Sequence, residues 1–145
     1  MLTTLTPVDV ANRLRPVLLQ LNRHLRRELA PLGITGGQAA LLHAIRQNPG
    51  IGVRELARRE GVSTAAMSTM LTRLEGVGMI RRTRAGEDRR RVGVELTELG
   101  TRVHRSARSR RTAWLAARLK RLSPEQLAIV DSAIDCLEPL LAEDA

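Results

Sequence analysis

The residues whose types and spacing could do chemistry in this sequence are short hydroxyls and arginines. At about 100° per residue, Met67, Met70, Leu71 and Leu74 share one arc of a helix running from Thr64 to about Gly76. Ala65, Ser68, Thr69, Thr72 and Arg73 share the opposite arc. Short hydroxyls let a helix sit deep in a major groove and bond to bases or phosphates, and the arginine fork matches guanine. Taken alone, the pattern is better explained by an ordinary amphipathic helix with a solvated outer face.

The following segment adds charge. Met79 to Arg84 reads as a strand, Ala85 to Arg89 as a turn, and Arg90 to Leu96 alternates with Val92, Val94 and Leu96 on one face. This hairpin carries Arg81, Arg82, Arg84, Arg89, Arg90 and Arg91 against Glu87 and Asp88 up to its tip. A basic loop beside such a helix can reach phosphates or the narrow minor groove, whose potential favours arginine. A solvated hairpin explains any one of these arginines more easily than six together.

The elements that must position these groups are legible upstream. Val53, Leu56 and Ala57 seed a helix that runs into Gly61, which can take the left-handed conformation that ends a helix. Ser63 then offers a hydroxyl to cap the next helix, so Ser63 and Thr64 stand at its N-terminus. Two helices joined by a short glycine turn form a helix-turn-helix, the second helix being the reader.

With Glu55-Leu56-Ala57, Arg73-Leu74-Glu75, Gly78 and above all Asp88-Arg89-Arg90 with Leu96-Thr97, the chain resembles the MarR-type winged helix-turn-helix regulators. Thr35-Gly36-Gly37-Gln38 before Ala39, Leu41 and Leu42 also looks like that family's start of the second helix, and the resemblance spans about residues 8–142. It implies that Asp88 orders the wing, that Arg90 enters the minor groove, and that the helix 64–73 contacts bases and phosphates. It also implies a small anionic or aromatic ligand in a crevice of the dimer. Trp114 is the only aromatic residue of the Phe, Tyr and Trp set. Any such pocket is therefore lined by aliphatics, Met and arginine, and the chain could equally have no ligand.

Composition agrees. The 145 residues suffice for one domain with a real core, and the net charge of +9 favours a polyanionic partner. The charge is lopsided: residues 124–145 hold six acids and no Lys or Arg. Lys120 is the only lysine among 24 basic residues. Such a bias can reflect the base composition of the source genome, so arginine counts are discounted.

Other classes find little support. His24, His43 and His104 are scattered over separate helices, with no Cys or carboxylate at ligand spacing, so no metal site is expected. No glycine-rich phosphate loop, catalytic triad order or paired carboxylates appear, so neither an enzyme nor a cofactor is expected. Cys136, beside Ile134 and Leu137, reads as a buried, inert thiol. With no signal-like N-terminus and no membrane-length apolar run, the expected location is the cytoplasm.

Around this centre the chain reads as helices. Leu14, Leu18, Leu21 and Leu25 form one stripe, and at Pro16 that helix either kinks or starts just before it. A capping box from Thr35 to Gln38 opens a second helix to about Gln47, after which Ile51 can add a small strand to the hairpin. A long helix begins at Thr97. The last helix, capped by Ser123-Pro124-Glu125-Gln126, carries Leu127, Val130, Ile134, Leu137 and Leu141. The class is mainly α with a small β-hairpin wing. A single domain is expected, with residues 8–30 and 98–142 as dimerisation helices and 35–97 as the winged helix-turn-helix. A homodimer of this kind would present two reading helices to a near-palindromic site on double-stranded DNA. An architectural DNA-binding protein without sequence preference is the alternative.

Overall fold

The computed structural model describes residues 3–84 and 92–142. Six α-helices and three short strands follow in the order α1 (Pro7–Arg27), α2 (Gly36–Gln47), β1 (Ile51–Gly52), α3 (Val53–Glu60), α4 (Thr64–Gly76), β2 (Ile80–Arg84), β3 (Val92–Leu96), α5 (Glu98–Leu119) and α6 (Pro124–Leu137). Single 3-10 turns lie at Ala30–Leu32 and Glu138–Leu141. The class is therefore mainly α with a small antiparallel sheet. The chain divides into two compact units, Met1–Arg110 and Arg111–Ala145, with the boundary inside α5.

Local chemistry sets the helix starts. Thr35 Oγ1 accepts from the Gln38 N–H at 3.1 Å while Gln38 Oε1 accepts from the Thr35 N–H at 2.9 Å. Ser123 and Gln126 make the same reciprocal pair. Each box satisfies donors that a helix N-terminus otherwise leaves unpaired. A third box, Thr6 with Asp9, opens α1 well before Pro16. The helix runs through Pro16, which is exposed, so water can reach the Asn12 carbonyl that proline leaves without a backbone donor.

In the first unit, α2, α3, α4 and the sheet enclose a core of Leu41, Leu42, Ile45, Leu56, Met67, Leu71, Leu74, Ile80 and Val94. Fully burying one such side chain contributes about 1.5–3 kcal/mol. The sheet order is β1-β3-β2, both pairings antiparallel, with Ile51 opposite Val94 and Arg81 opposite Glu95. The extra strand anticipated at Ile51 is β1. The hairpin is tied to the start of α5 by two contacts. The Thr97 N–H donates to the Met79 carbonyl at 3.1 Å, and the Thr97 hydroxyl donates to the Gly78 carbonyl. Gly100 sits so close that a Cβ there would overlap the Met79 carbonyl. Arg110 closes the unit, its Nε donating to the Glu28 carbonyl at 2.9 Å just past α1.

The second unit is the end of α5, α6 and the last 3-10 turn. No residue of α6 is buried. Cys136 is accordingly exposed, which corrects its reading as a buried thiol: an apolar neighbourhood along one helix gives burial only where something packs on it. Among the described residues no helix is long and apolar enough to cross a membrane.

Candidate nucleic-acid interface

The turn between α3 and α4 is made by Gly61, whose φ of +67° is left-handed and suits glycine. Its N–H donates to the Arg58 carbonyl, and the Val62 N–H reaches the Ala57 carbonyl at 3.0 Å. The chain then re-enters a helix at Ser63, whose Oγ accepts from the Ala66 N–H at 3.1 Å. Met67, Leu71 and Leu74 are fully buried, which fixes the rotation of α4 and leaves its other side outward.

That outward side is the one expected from the sequence. Ser63, Thr64, Ala65, Thr69, Thr72 and Arg73 are exposed, and Ser68 is half-buried at the edge of the face. Two of the hydroxyls are engaged within the helix: Thr69 Oγ1 donates to the Ala65 carbonyl at 3.2 Å and Thr72 Oγ1 to the Ser68 carbonyl at 2.8 Å. The Arg73 carbonyl accepts from the Val77 N–H at 3.2 Å, and the Arg73 guanidinium has no hydrogen-bond or ion-pair partner among the described residues.

The wing strand is fastened to this helix. From β2, Arg82 Nη2 donates to Thr72 Oγ1 at 3.4 Å and Arg82 Nε lies 3.6 Å from Glu75 Oε1. Arg81 pairs across the hairpin with Glu95, its register partner. Two of the hairpin's arginines are thereby committed to carboxylates, whereas Arg84, at the outer end of β2, is exposed and unpaired among the described residues. Asp88, Arg89, Arg90 and Arg91 lie outside the described residues.

Sequence reasoning missed Arg82 and Glu75 as the pair joining wing to helix, and Glu95 as the partner of Arg81. A turn over Ala85–Arg89 would set Arg81 opposite Gly93. The observed register sets it opposite Glu95, and only that register reveals the charge match. On α3, Glu55 accepts from Arg58 and Arg59 at 2.7 and 3.0 Å. These hydrogen bonds hold its carboxyl down at about 2. The sequence placed all three residues on one helix, and the i,i+3 and i,i+4 spacings are the signal that could have found the pairing.

Elsewhere the histidines are less scattered than their positions suggest. His43 of α2 and His104 of α5 meet with Nδ1 and Nε2 3.2 Å apart. No group of three or more His, Cys, Asp or Glu able to hold a metal occurs among the described residues. The chemistry on offer is therefore an exposed row of methyls and hydroxyls, with a basic strand beside them and the guanidinium groups of Arg73 and Arg84 unpaired among the described residues.

Residues 34–92 match the MarR family. The HTH-type transcriptional repressor Rv2887 of Mycobacterium tuberculosis (strain ATCC 25618 / H37Rv) is 34% identical over 98 residues, 68% of this chain and 70% of that protein. Wild-type MarR from E. coli in its apo form superposes with a TM-score of 0.77 at 26% identity, covering 94% of this chain and 100% of the other. FabT of Streptococcus pneumoniae, solved in complex with DNA, shares the fold at a TM-score of 0.74 and 22% identity, covering 90% and 96%.

Proposed function

The chain belongs to the MarR family, and from that premise we propose that it is a homodimeric, sequence-specific DNA-binding transcriptional regulator that acts as a repressor. The observation that carries this reading is the Arg82 contact with Thr72 and Glu75. It makes the outer face of α4 and the strand leading into the wing one continuous surface, on which the guanidinium groups of Arg73 and Arg84 are unpaired among the described residues.

In this mechanism α4 enters the major groove. Ser63 and Thr64, at its N-terminus, meet phosphate, where free N–H groups and the helix dipole favour an anion. Ala65, Ser68, Thr69, Thr72 and Arg73 face the base edges. Arg84 leads toward the adjacent minor groove, which Arg89, Arg90 and Arg91 enter while Asp88 orders the loop. Phosphate contacts set register and base contacts set sequence. Two copies related by a two-fold axis would place two such surfaces about one helical turn apart, so the operator is pseudo-palindromic. The named repressor among the relatives supports repression.

The protein works in the cytoplasm on double-stranded DNA. Release is by a small anionic or aromatic ligand that binds one dimer state better than the other and so resets the spacing of the reading helices.

The test is affinity for a selected operator. Arg73→Ala should weaken binding about 5- to 150-fold, the range of one good base contact, and relax preference at one position per half-site. Arg90→Ala should also weaken binding strongly, with an unchanged melting temperature. Unaltered affinity for both variants would refute the assignment of this surface.

A further inference from the structure

If α4 reads the major groove, as proposed above, its internal hydrogen bonds limit what it can read. A hydroxyl carries one proton and two lone pairs. The Thr69 proton goes to the Ala65 carbonyl and the Thr72 proton to the Ser68 carbonyl. Thr72 also spends a lone pair on Arg82 Nη2. What these exposed side chains can still offer outward is a γ-methyl group and acceptor lone pairs, with no donor.

The edges of the bases answer differently to such a surface. Guanine presents two acceptors, N7 and O6, to the major groove, so a methyl or a lone pair set against it finds nothing to pair with. Thymine presents its C5-methyl, and adenine and cytosine present amino donors. Ala65, one turn before Thr69 on the same exposed face, adds a second methyl and no polar group. One residue beyond Thr72, Arg73 is the opposite kind of reader: unpaired among the described residues, all donors, and suited to guanine.

We propose that Thr69 is a specificity-determining residue that reads thymine through its γ-methyl group and excludes guanine, its hydroxyl being reserved for the Ala65 carbonyl. Thr72 acts in the same sense more weakly, because Arg82 already holds it. Each half-site then joins a thymine-bearing stretch, facing Ala65 and Thr69, to a guanine facing Arg73.

The experiment is selection of binding sites from random duplex DNA with the full chain and its Thr69→Ala, Thr69→Val and Thr69→Ser variants, at one near-physiological salt concentration. Position 69 is exposed, and thermal melts of the four proteins establish that all are folded. In the wild-type selection one position per half-site should favour thymine and exclude guanine, and Thr69→Ala should relax that position alone. Thr69→Val, which keeps the methyl and removes the hydroxyl, should retain the preference and bind within about threefold of wild type. Thr69→Ser, which keeps the hydroxyl and removes the methyl, should lose about fivefold or more of the preference for thymine.

The converse, with Thr69→Ser retaining and Thr69→Val losing the preference, would overturn the proposal, as would a profile that Thr69→Ala leaves unchanged. Either result would leave the operator-reading function standing. A wild-type selection that enriches no motif would instead overturn that function, and this inference with it.

Discussion

The winged region and the terminal helices are written in the same amphipathic pattern, yet they use it oppositely. Between Ile34 and Val94 the stripes of α2, α3 and α4 and the inner face of the sheet close on one another, and Leu41, Leu42, Ile45, Leu56, Met67, Leu71 and Leu74 are fully buried. α1 has 21 residues and α6 has 14, and neither contains a buried one. Val17 and Leu18 remain about half exposed, as do Leu127 and Ile134. The winged region is complete within one chain. The terminal helices carry apolar faces that each need a surface from elsewhere, and a second copy of the chain is the partner that the proposed dimer supplies.

The sharpest way to break this contrast is to damage each region alone. Leu71→Ala removes a fully buried side chain from the centre of the winged region and should cost about 2–5 kcal/mol, a large share of the stability of a small protein. A thermal melt should show the whole winged region destabilised at every protein concentration. Replacing Val130 and Ile134 of α6 together by Glu should act differently. The winged region should still melt cooperatively, while sedimentation should show monomers where the wild type is expected to be a dimer, and operator binding should fall with them. A double variant that melts the winged region as Leu71→Ala does would erase the distinction between the two regions.

A smaller effect sharpens the picture inside the winged region, where surface charge is secondary to the core. The Glu55 carboxyl titrates at about 2 instead of its ordinary 4.5 because Arg58 and Arg59 hydrogen-bond to it. A lowered carboxylate pKa adds stability that is fully present above pH 4.5 and is lost as the pH falls toward 2. The group is exposed and screened by water, so the effect is small. Glu55→Gln should melt slightly below wild type at pH 7, and the two curves should converge between pH 4.5 and 2. A constant gap down to pH 2 would show that the side chain acts by packing and not by charge.

Much of the winged region was legible because its signals are local. Gly61 before Ser63, the Thr35 and Gln38 box, and the alternation through Val94 each act within a few residues, and each element formed where its signal lies. The outward row of Thr69, Thr72 and Arg73 follows from helix period alone once Met67, Leu71 and Leu74 are buried. What escaped depends on distance in sequence. The meeting of His43 with His104, the clasp of Arg82 on Thr72 and Glu75, and the register that pairs Arg81 with Glu95 all need the tertiary fold. Cys136 marks the same limit in the other direction: its neighbours along α6 are apolar, but no residue of that helix is buried. The Thr6 and Asp9 box was readable and was overshadowed by Pro16, whose place inside a helix depends on solvent reaching the carbonyl it leaves unpaired.

The central claim is that two copies of this chain each present one α4 and one wing to half of a symmetric site. Selection of bound sequences from random duplex DNA at near-physiological salt tests it most directly, because salt sets how much sequence-independent phosphate binding competes. A pseudo-palindrome with half-sites about one helical turn apart is the result expected of the dimeric regulator. Tight binding with no enriched motif, or a single unrepeated half-site, would contradict it.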